Sequence, residues 1–457
     1  MAKVASIILA AGKGTRMKSQ LPKVLHRVCG KPMLAHVIRA ANDAEVNRNV
    51  VVIGHEADQV KETIGSDVQW VYQMEQLGTG HAVLQAETSL ADFDGSILVL
   101  CGDTPLITSG TVKEIIRSHL SSGNAATVLT ARMEDPSGYG RVIRDKKGQV
   151  LEIIEHKDAM PEQLKIKEVN TGIYCFQGQK LFASLKKITP SNAQGEYYLT
   201  DVLTVMRKND ERIGAVQVND PLETMGINNR IQLAEAEKIL RWRVLNQLME
   251  DGVTIIDPQN TYIDQEAVIG SDSIIYPGTI VEGKCRLGEK CLIGPYARLK
   301  DVEGGDGVIV QNSIVLESSI GDGVTIGPFA YIRPGTVLSN GVKVGDFVEI
   351  KKTFIGKGSK VPHLSYIGDA EIGERVNIGA GTITCNYDGI TKSKTVIGND
   401  VFVGSNTNFV APVKIGDNAT IGAGSTITKN VPDGALGLER SKQVIYDKWV
   451  TRKNKKK

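Results

Sequence analysis

Residues 320–338 carry the sequence Ile-Gly-Asp-Gly-Val-Thr-Ile-Gly-Pro-Phe-Ala-Tyr-Ile-Arg-Pro-Gly-Thr-Val-Leu, in which an aliphatic side chain recurs at every sixth position. A period of six fits neither an α-helix, which repeats about every 3.6 residues, nor an ordinary strand, which repeats about every two. It is typical of a parallel β-helix, in which each short strand points one aliphatic side chain inward and a turn follows. This stretch therefore predicts a β-helix.

The same spacing covers most of the second half of the chain. The repeating positions are Ile263, Ile269, Ile275, Val281, Leu287, Ile293 and Leu299, then Ile314, Ile320, Ile326, Ile332, Leu338, Val344 and Ile350, then Ile355, Val361, Ile367, Ile372 and Ile378, and finally Ile397, Val403, Phe409, Ile415, Ile421 and Ile427. We expect the frame shift between Leu299 and Ile314 and the break at Cys385–Lys394 to be loops expelled from the β-helix. Loops on a rigid scaffold are where function concentrates.

Glycine is distributed unevenly along the chain. Of 48 glycines among 457 residues, 29 lie in residues 251–457 and 19 in residues 1–250. In the repeats they follow many of the aliphatic positions, so the excess marks turns and not low complexity. The hydrophobic fraction of 41% and the charged fraction of 23% are typical of a folded protein. The length predicts two to four domains.

Charge and cysteine content exclude several classes of protein. A net charge of +2 gives no field that favours nucleic acid, and the basic run Arg452–Lys457 is typical of a solvated tail. Six cysteines without a C-x-x-C pair predict reduced thiols in a cytoplasm. The apolar run Val4–Ala11 imitates a signal peptide but continues into a charged glycine-rich segment, so export is the weaker alternative. No stretch approaches the ~18–20 apolar residues of a membrane span.

Before the repeats, short apolar runs alternate with helix-length amphipathic segments. This alternation is typical of βα units and a largely parallel sheet. The runs Val4–Ala10, Val50–Ile53 and Ile97–Leu100 each lead into a glycine turn, and ligands of such sheets bind beyond the carboxyl ends of the strands. We expect an α/β domain over residues 1–228, a connecting helix over 229–251 whose apolar stripe packs against a domain, and a β-helix domain over 252–457.

The strongest local motif is Leu9-Ala-Ala-Gly-Lys-Gly-Thr-Arg-Met-Lys-Ser-Gln-Leu-Pro-Lys23. A glycine-rich turn between strand and helix exposes backbone N–H groups to phosphate oxygens, and the helix start adds a positive dipole. Arg16 and Lys23 bring full charges to a triphosphate. The motif is neither a Walker loop nor a complete G-x-G-x-x-G. Asp103, beside Gly102 and just past an apolar strand, suits a Mg²⁺ ion that keeps most of its water, although an Asp before Thr-Pro can also be a turn cap.

The whole motif resembles the signature of the sugar-phosphate nucleotidyltransferases, and further motifs of that family follow in order. They are Gln73, Leu77–Gly80, Cys101–Asp103, Gly138–Arg141, Glu155, Asn170–Gly172 and Asn228. The resemblance implies a Rossmann-like domain in which Leu9, Ala10, Ala11, Gly12, Lys23 and Gly102 bind the nucleotide, Gln73, Gly78 and Thr79 hold the uracil end, Gly140, Glu155 and Asn170 hold the sugar, and Asn228 joins Asp103 as a ligand of Mg²⁺. Catalysis would then need no nucleophilic side chain, only positioning and charge neutralisation by Mg²⁺, Arg16 and Lys23.

The repeat region contains a single histidine, His363; the other six precede residue 157. A lone histidine is usually structural, but a neutral imidazole is also what an amine acetyltransferase needs to remove the proton of the attacking amine. One histidine cannot build the zinc site of a β-helical carbonic anhydrase. Ile332 and Ile350 are one coil apart, so Arg333 and Lys351 should stack on one face. We expect an anion such as a sugar phosphate between these cations; the alternative is two exposed basic residues.

The repeats resemble the hexapeptide-repeat acyltransferases, which implies a left-handed, three-sided β-helix. Together with the amino-terminal motifs, the chain resembles over nearly its whole length the bifunctional N-acetylglucosamine-1-phosphate uridylyltransferases and glucosamine-1-phosphate acetyltransferases. That resemblance implies that His363 is the general base, that Arg333, Lys351, Tyr366 and Asn377 hold the amino-sugar phosphate, that Asn386 orients the amine or the thioester, and that Ala380, Asn386, Tyr387, Ser405, Ala423 and Arg440 bind acetyl-CoA. It also implies a cytoplasmic homotrimer, assembled through the β-helix, that supplies peptidoglycan and cell-wall precursors from glucosamine-1-phosphate, acetyl-CoA and UTP, with no nucleic-acid or membrane partner.

Two alternatives stay open from the sequence. The first is a nucleotidyltransferase with one activity, of the ADP-glucose or dTDP-glucose type, whose β-helix serves regulation or assembly; it predicts no acetyl-CoA consumption. The second is a non-enzymatic regulatory scaffold of similar build, which predicts loss of the loop charges, whereas Arg16, Lys23 and Asp103 are present.

Overall fold

The computed structural model describes residues 3–454, which divide between two compact units, Met1–Leu240 and Arg241–Lys457. The end of the predicted basic tail, residues 455–457, lies outside the described residues. Among residues 3–454 no helix is both long enough and apolar enough to cross a membrane.

The first unit is built on a nine-stranded, mostly parallel sheet. Its strands are β1 (Val4–Leu9), β4 (Arg48–Ile53), β5 (Gln69–Tyr72), β6 (Ser96–Cys101), β7 (Ala126–Arg132), β8 (Arg141–Arg144), β9 (Val150–Ile154), β10 (Glu168–Gln177) and β11 (Ile213–Gln217), with a separate small pair of β2 (Arg27–Val28) and β3 (Lys31–Pro32). The order across the sheet is β11-β7-β10-β6-β1-β4-β5, and the β8–β9 hairpin joins it through β10. Strand β10 runs antiparallel to its neighbours β6 and β7, and the β8–β9 hairpin is antiparallel within itself and to β10. This is the predicted Rossmann-like α/β domain.

Helices alternate with these strands along the chain. They are α1 (Met33–Asp43), α2 (Ala57–Ile64), α3 (Thr79–Leu84), α4 (Ser109–Ser122), α5 (Pro161–Leu164), α6 (Gly178–Leu185), α7 (Asp201–Lys208) and α8 (Arg230–Glu250), with short 3₁₀ turns at Thr15–Met17, Lys23–Leu25, Thr88–Leu90 and Pro221–Thr224. Alternate residues of β4 belong to different cores: Val50 and Val52 pack on one side, Val51 and Ile53 on the other. The strand is therefore apolar throughout, as expected for a parallel strand covered on both faces.

Helix α8 begins at Arg230 and ends at Glu250, as the run without glycine or proline predicted. The boundary between the two compact units falls inside it, after Leu240. Ala236 and Leu240 are buried in a cluster of the first unit, whereas Leu245 and Leu248 belong to the core of the second. The apolar residues of the helix therefore serve two different cores, one at each end.

The second unit is a prism of three parallel sheets, here called faces 1, 2 and 3. Face 1 consists of Thr254–Ile255, Ile274–Ile275, Leu292–Ile293, Ile309–Val310, Thr325–Ile326, Lys343–Asp346, Lys360–His363, Asn377–Ile378, Phe402–Val403, Thr420–Ile421 and Leu436–Gly437. Face 2 consists of Tyr262–Ile263, Ile280–Glu282, Arg298–Lys300, Ile314–Leu316, Tyr331–Ile332, Glu349–Lys351, Tyr366–Gly368, Ile383–Cys385, Asn408–Val410 and Thr426–Ile427. Face 3 consists of Val268–Ile269, Arg286–Leu287, Glu303–Gly304, Ser319–Ile320, Val337–Leu338, Phe354–Ile355, Ala370–Ile372, Thr395–Ile397 and Val413–Ile415. A 3₁₀ turn, Pro258–Asn260, lies near the start of the prism and a helix, α9 (Trp449–Asn454), near its end.

Successive coils stack their inward side chains in register, for example Ile332 on Ile350 and Ile350 on Ile367. All three are fully buried, and neighbouring strands of a sheet lie about 4.8 Å apart, so the aliphatic groups form continuous columns. Each strand is so short that it contributes one or two core side chains. The arrangement agrees with the left-handed β-helix that the sequence resemblance implied.

One of the two expected loops is absent. Between Leu299 and Ile314 the chain stays in the prism, and Arg298 pairs with Ile314, so the frame shift is a coil shortened to sixteen residues. The second interruption is a true insertion: Ala370 pairs with Thr395, and the extra residues leave the prism after Cys385. A period counted along the sequence cannot tell a shortened coil from an inserted loop, because both change the frame.

Candidate functional site

Two adjoining cavities of the first unit open where β1 and β6 end. The loop cavity, of about 290 Å³, is lined by Leu9, Ala10, Ala11, Gly12, Lys23, Val24, Gln73, Gln76, Gly78, Thr79, Ala82, Cys101, Asp103 and Glu196. The hairpin cavity, of about 200 Å³, is lined by Leu9, Thr79, Cys101, Gly138, Tyr139, Gly140, Glu155, Asn170, Thr171, Gly172, Tyr174, Leu199 and Thr200. Because Leu9, Thr79 and Cys101 line both, the two cavities form one continuous depression at the carboxyl ends of the strands.

Most of the residues predicted to bind nucleotide and sugar lie in this depression. The loop cavity holds Leu9, Ala10, Ala11, Gly12, Lys23, Gln73, Gly78, Thr79 and Asp103; the hairpin cavity holds Gly140, Glu155 and Asn170; Arg16, Gly102 and Asn228 line neither. The predicted uracil-binding and sugar-binding sets are therefore separated into two adjoining compartments. Sequence reasoning missed Glu196 and Thr200, which lie outside the quoted motifs.

The glycine-rich loop is bent so that Lys23 faces Asp103. Gly14 has a positive φ of 62°, and a Cβ at this position would lie 2.5 Å from the Cβ of Lys23. A larger residue would be strained by its backbone and would push Lys23 away. The glycine therefore positions the lysine as well as exposing backbone N–H groups.

Two cations and two oxygen ligands meet at the edge of the loop cavity. The Lys23 ammonium forms an ion pair with Asp103 and also donates to the Asn228 Oδ1, at 2.7 Å. Arg16 donates to the same Asn228 oxygen, at 2.9 Å. Arg16 and Asn228 thus reach the cluster without lining the cavity. Helix α8 holds Asn228 in turn, because the backbone N–H of Asn228 donates to Gln232 Oε1 at 2.7 Å.

The donor set at this point fits a small divalent cation. Asp103 and Asn228 both direct a side-chain oxygen at one position of positive charge, which the Lys23 ammonium takes. Within residues 3–454 no group of three or more His, Cys, Asp or Glu side chains could hold a metal. Two protein oxygens with water completing the shell are what Mg²⁺ prefers, so the residues fit Mg²⁺.

The titratable groups of the depression are not set up as nucleophiles. Burial, with a smaller contribution from the Asp103 charge, raises the pKa of the Cys101 thiol to about 12. Burial also raises the pKa of Tyr139. A thiol and a phenol in this condition stay protonated and unreactive at neutral pH. The site is built for positioning and charge neutralisation.

In the prism, four of the six predicted acetyl-CoA residues form a column along the edge where face 1 turns into face 2; Asn386 and Tyr387 lie in the expelled loop instead. Register pairs Lys360 with Asn377, Asn377 with Phe402, and Phe402 with Thr420. The residues three positions after each of these, His363, Ala380, Ser405 and Ala423, therefore lie one above another in successive coils. Arg440 closes the column, donating to the Ala423 carbonyl at 3.3 Å. Four coils spaced about 4.8 Å apart make a track about 14 Å long above the histidine.

His363 is oriented by a carboxylate that sequence reasoning missed. Its Nδ1 lies 2.6 Å from Asp346 Oδ1, and Asp346 occupies the register position directly below it in face 1. The hydrogen bond from His363 lowers the pKa of Asp346, so Asp346 is ionised. The His363 side chain is 57% exposed, and no described residue binds its Nε2. This nitrogen is free to accept a proton from a ligand.

Arg333 and Lys351 occupy adjacent coils of face 2, as predicted, but the expected need for an external anion was overstated. Arg333 binds Glu349 at 2.7 Å and Lys351 binds Asp369 at 3.3 Å, so each cation has a carboxylate of its own. The hydrogen bond with Glu349 raises the pKa of Arg333. The spacing of basic residues in the sequence does not show which acidic side chains the fold places beside them.

The loop that leaves the prism after Cys385 adds a further cation to the cluster formed by Arg333, Lys351 and their acidic partners. Contact with the Lys351 ammonium lowers the pKa of Lys392, a loop residue that sequence reasoning missed. At the base of the loop the Asn386 amide donates to Asp369, the partner of Lys351. The Tyr387 phenol, mostly exposed, binds the Gly389 carbonyl within the loop at 2.6 Å. The loop therefore brings Asn386 and Lys392 to Lys351.

The other two residues predicted to hold the amino-sugar phosphate, Tyr366 and Asn377, lie on two different faces. Tyr366 is the register neighbour of Glu349 on face 2, next to the Arg333 pair. Asn377 follows Lys360 on face 1, one coil above the strand that ends at His363. Tyr366 and Asn377 thus lie on the two faces that meet at the edge carrying His363, whereas Arg333 and Lys351 lie where face 2 turns toward face 3.

Comparisons with known proteins match both units. Residues 5–222 match the nucleotidyl transferase family, and residues 266–301, 317–352 and 394–429 match the bacterial transferase hexapeptide family. The chain is 54% identical to the bifunctional protein GlmU of Heliobacterium modesticaldum over 455 residues, covering 100% of this chain and 99% of the relative. It is also 54% identical to the bifunctional protein GlmU of Caldanaerobacter subterraneus (100% and 99% covered) and 50% identical to that of Acetivibrio thermocellus (98% and 97% covered). Among solved structures, a UDP-glucose pyrophosphorylase matches with a TM-score of 0.44 at 19% identity, over 53% of this chain and 100% of that chain.

Proposed function

The chain belongs to the family of the bifunctional protein GlmU, and on that premise we propose that it makes UDP-N-acetylglucosamine at two separate sites. The prism transfers the acetyl group of acetyl-CoA to glucosamine-1-phosphate. The first unit then transfers UMP from UTP to N-acetylglucosamine-1-phosphate and releases pyrophosphate. The proposal rests on one observation: Asp346 orients His363, and a column of small residues begins at that histidine. A purely regulatory β-helix does not need this arrangement.

Acetyl transfer uses the free nitrogen of His363. Because Asp346 is ionised, Nδ1 carries the ring proton and donates a hydrogen bond to that carboxylate, which leaves Nε2 as a base. Nε2 takes a proton from the amine as the amine attacks the thioester carbon. The carbon–sulfur bond breaks, and the coenzyme A sulfur leaves and takes up a proton. Along the edge, the small side chains of Ala380 and Ala423 leave room for the extended acetyl-CoA molecule. The guanidinium of Arg440 offers a partner for an anionic group of that molecule.

The amino sugar is held by its phosphate. Arg333, Lys351 and Lys392 place three cations around two acids, Glu349 and Asp369, so the cluster keeps one net positive charge for a ligand. The mutual repulsion of Lys351 and Lys392 is relieved when a phosphate binds between them. Asn386, anchored on Asp369, lies beside the same cluster and orients the reacting groups.

Uridylyl transfer uses the depression of the first unit. The uracil end enters the loop cavity at Gln73, Gly78 and Thr79, and the sugar enters the hairpin cavity at Glu155 and Asn170. An oxygen of the sugar phosphate attacks the α-phosphorus of UTP in line, and pyrophosphate leaves. Arg16 and Lys23 neutralise the charge that grows on the leaving group.

A Mg²⁺ ion belongs to this second reaction. Asp103 and Asn228 would hold it, since their oxygens converge on one position of positive charge. When bound, Mg²⁺ neutralises phosphate charge and makes the α-phosphorus a better electrophile. Lys23, which takes that position in the structure, is then free to bind phosphate oxygens.

The protein acts as a trimer assembled through the prism. An exposed apolar strip follows the face 1–face 2 edge below His363: Tyr296, Phe329, Phe347 and Leu364, each at least half exposed. All four have positive φ angles, a backbone state that is strained for large side chains. Strained and exposed aromatic groups beside the base favour a second copy as their partner. A cytoplasmic location follows from the need for UTP and acetyl-CoA and suits the free cysteines.

Two variants test the division of labour. His363→Ala should lower the release of coenzyme A from acetyl-CoA by at least about a hundredfold, because the general base is lost, while pyrophosphate release stays unchanged. Asp103→Ala should do the reverse. Both rates are measured on the purified full-length chain, with glucosamine-1-phosphate and acetyl-CoA in one assay and UTP, Mg²⁺ and N-acetylglucosamine-1-phosphate in the other.

Matched controls are His55→Ala and Asp94→Ala, which remove an exposed histidine and an exposed aspartate outside both sites. Each should keep both activities. If one of the two site variants lost both activities equally, the two-site proposal would be wrong. If the wild-type chain released no coenzyme A, the single-activity alternative would replace it.

A further inference from the structure

We propose that His81 is a positioning residue of uridylyl transfer, which selects the base of the nucleotide by fixing the side-chain amide of Gln73. The inference rests on the proposed function, in which the uracil end enters the loop cavity at Gln73. His81 lies on α3 and lines neither the loop cavity nor the hairpin cavity. Its effect on the base must therefore pass through a neighbouring side chain.

The amide of Gln73 is fixed by two acceptors. Gln73 directly follows β5, and it is only 3% exposed. Its Nε2 donates to the Gly78 carbonyl oxygen at 3.1 Å and lies 3.1 Å from Nδ1 of His81. An amide NH₂ group has two hydrogens, so these two contacts use both of them. The nitrogen of the amide therefore points toward Gly78 and His81.

The contact with His81 is a hydrogen bond only when Nδ1 carries no proton. The other ring nitrogen, Nε2, lies 3.1 Å from Nε2 of Gln85, and a neutral imidazole can accept at one nitrogen only. Gln85 is partly exposed, and its Nε2 also reaches the His81 carbonyl oxygen at 3.2 Å. The buried amide of Gln73 cannot turn to water, whereas that of Gln85 can. The ring therefore accepts from Gln73 and carries its proton on Nε2.

Tyr197 keeps the ring of His81 in this position. The two rings lie 6.5 Å apart between centroids, at an angle of 37°. The backbone of Tyr197 is bonded to the segment before His81, because its N–H donates to the Leu77 carbonyl and its own carbonyl accepts from Gly80, both at 2.8 Å. The imidazole is therefore held against a segment that is itself fixed.

The oxygen of the Gln73 amide is left for a ligand. Gln73 lines the loop cavity, and no residue in the described part of the chain donates to its Oε1. Among residues 3–454, the polar side-chain atoms that are both sealed and unpartnered belong to other residues, so this Oε1 keeps an accessible surface. An acceptor without a donor at a cavity wall is satisfied when the ligand donates to it.

An acceptor fixed in this way distinguishes the pyrimidine bases. Uracil has a hydrogen on N3 that Oε1 can accept, whereas N3 of cytosine is itself an acceptor and would face the oxygen lone pairs. Cytosine would pair at N3 only if the amide turned over. Turning would set the amide oxygen against the Gly78 carbonyl and Nδ1 of His81, which are both acceptors. The cavity therefore selects uracil partly by rejecting cytosine.

The test compares UTP with CTP on the full-length protein. The measured quantity is kcat/KM for pyrophosphate release with N-acetylglucosamine-1-phosphate and Mg²⁺, and the wild-type chain should prefer UTP. His81→Leu removes the acceptor, so the amide can turn and the UTP-to-CTP ratio should fall at least about tenfold. His81→Asn places a carbonyl oxygen near the position of Nδ1 and should restore most of the ratio. Both nucleotides are measured on one sample, so partial unfolding of a variant cancels in the ratio.

A second background shows whether His81 acts through Gln73. Gln73→Ala removes the amide, so adding His81→Leu to that variant should leave its UTP-to-CTP ratio unchanged. His55→Leu, which removes an exposed histidine outside the cavity, is the matched control and should keep the wild-type ratio. A residue with a purely structural role would lower kcat/KM for both nucleotides equally.

The proposal on His81 would be wrong if His81→Leu kept the wild-type ratio, or if the wild-type chain used UTP and CTP equally; uridylyl transfer itself would stand in both cases. A loss of selectivity that His81→Asn does not restore, or that His81→Leu also causes in the Gln73→Ala chain, would assign the choice of base to another contact. Absence of pyrophosphate release from UTP by the wild-type chain would overturn the proposed function, and this inference with it.

Discussion

Glu155 shows how the fold changes the chemistry of a single side chain. It lines the hairpin cavity, in the compartment that we assign to the sugar. Burial raises its pKa above the ordinary value of 4.5, and the charges of Asp158 and Asp201 add to the rise. A carboxylate accepts hydrogen bonds from sugar hydroxyl groups, and protonation removes most of that capacity. As pH falls, sugar binding should therefore be lost at a higher pH than it would be if this glutamate were exposed.

We predict an acid limb of uridylyl transfer that depends on Glu155. As pH falls toward the raised pKa, Glu155 becomes protonated and the KM for the sugar phosphate should rise, starting above pH 4.5. In Glu155→Gln the group cannot titrate, so the ratio of wild-type to variant kcat/KM should be about tenfold at neutral pH and approach one in acid. Steady-state rates from pH 4.5 to 8 measure this ratio, and titration of the substrate cancels in it.

Asp158→Asn serves as the matched control for this prediction. It removes a charge that raises the Glu155 pKa, so it should move the acid limb to lower pH without abolishing activity. A ratio independent of pH would show that Glu155 does not bind the sugar.

At the scale of elements, the edge between face 1 and face 2 combines two functions on one line. Its upper coils carry small residues above His363, while its lower coils carry Phe329 and Phe347, whose rings stack with centroids 5.5 Å apart. Large apolar groups on an exposed turn cost free energy in water unless something covers them. The same edge thus offers a cofactor track and, below it, a surface suited to another copy of the chain.

Replacing both rings by Phe329→Ser and Phe347→Ser should therefore weaken the proposed trimer. At micromolar concentration we expect the wild type to sediment as a trimer and the variant as a monomer, because the apolar contact area is lost. Analytical ultracentrifugation measures this, and acetyl transfer should fall together with the oligomeric state. Phe354→Ser, which removes an exposed ring from face 3, is the control and should stay trimeric. An unchanged sedimentation coefficient of the double variant would exclude this strip as the interface.

At the scale of the whole molecule, α8 is part of both units. Its first half completes a cluster with Met33, Leu106 and Ile227, and its Glu237 accepts the Cys29 N–H at 2.6 Å. It also carries Gln232, which fixes Asn228, a proposed ligand of Mg²⁺. The helix is therefore a structural component of the uridylyl site and not a passive connection.

A chain ended at residue 228 should be less stable than one ended at residue 250. The shorter chain loses Ala236 and Leu240 from a buried cluster, which should lower the free energy of unfolding by about 3 kcal/mol or more. It also loses the Gln232 contact, so pyrophosphate release should fall even under conditions where the fragment is folded. Urea unfolding and initial rates of the two fragments test this. Equal stability and equal rates would show that α8 is dispensable for the first unit.

The sequence by itself determined the architecture, because a period of six and the alternation of apolar runs with amphipathic segments are local patterns that translate directly into secondary structure. Motif order also predicted the loop residues and Asp103, and the single histidine of the repeats predicted His363. Only the tertiary structure decided what these groups face. The positions of Asp346 beneath His363, of Glu349 and Asp369 beside the cations and of Lys392 from the expelled loop depend on which coil lies above which. The division of α8 between two cores depends on what each half of the helix contacts. Register and burial are set by packing between segments far apart in the chain, and no spacing within one segment encodes them.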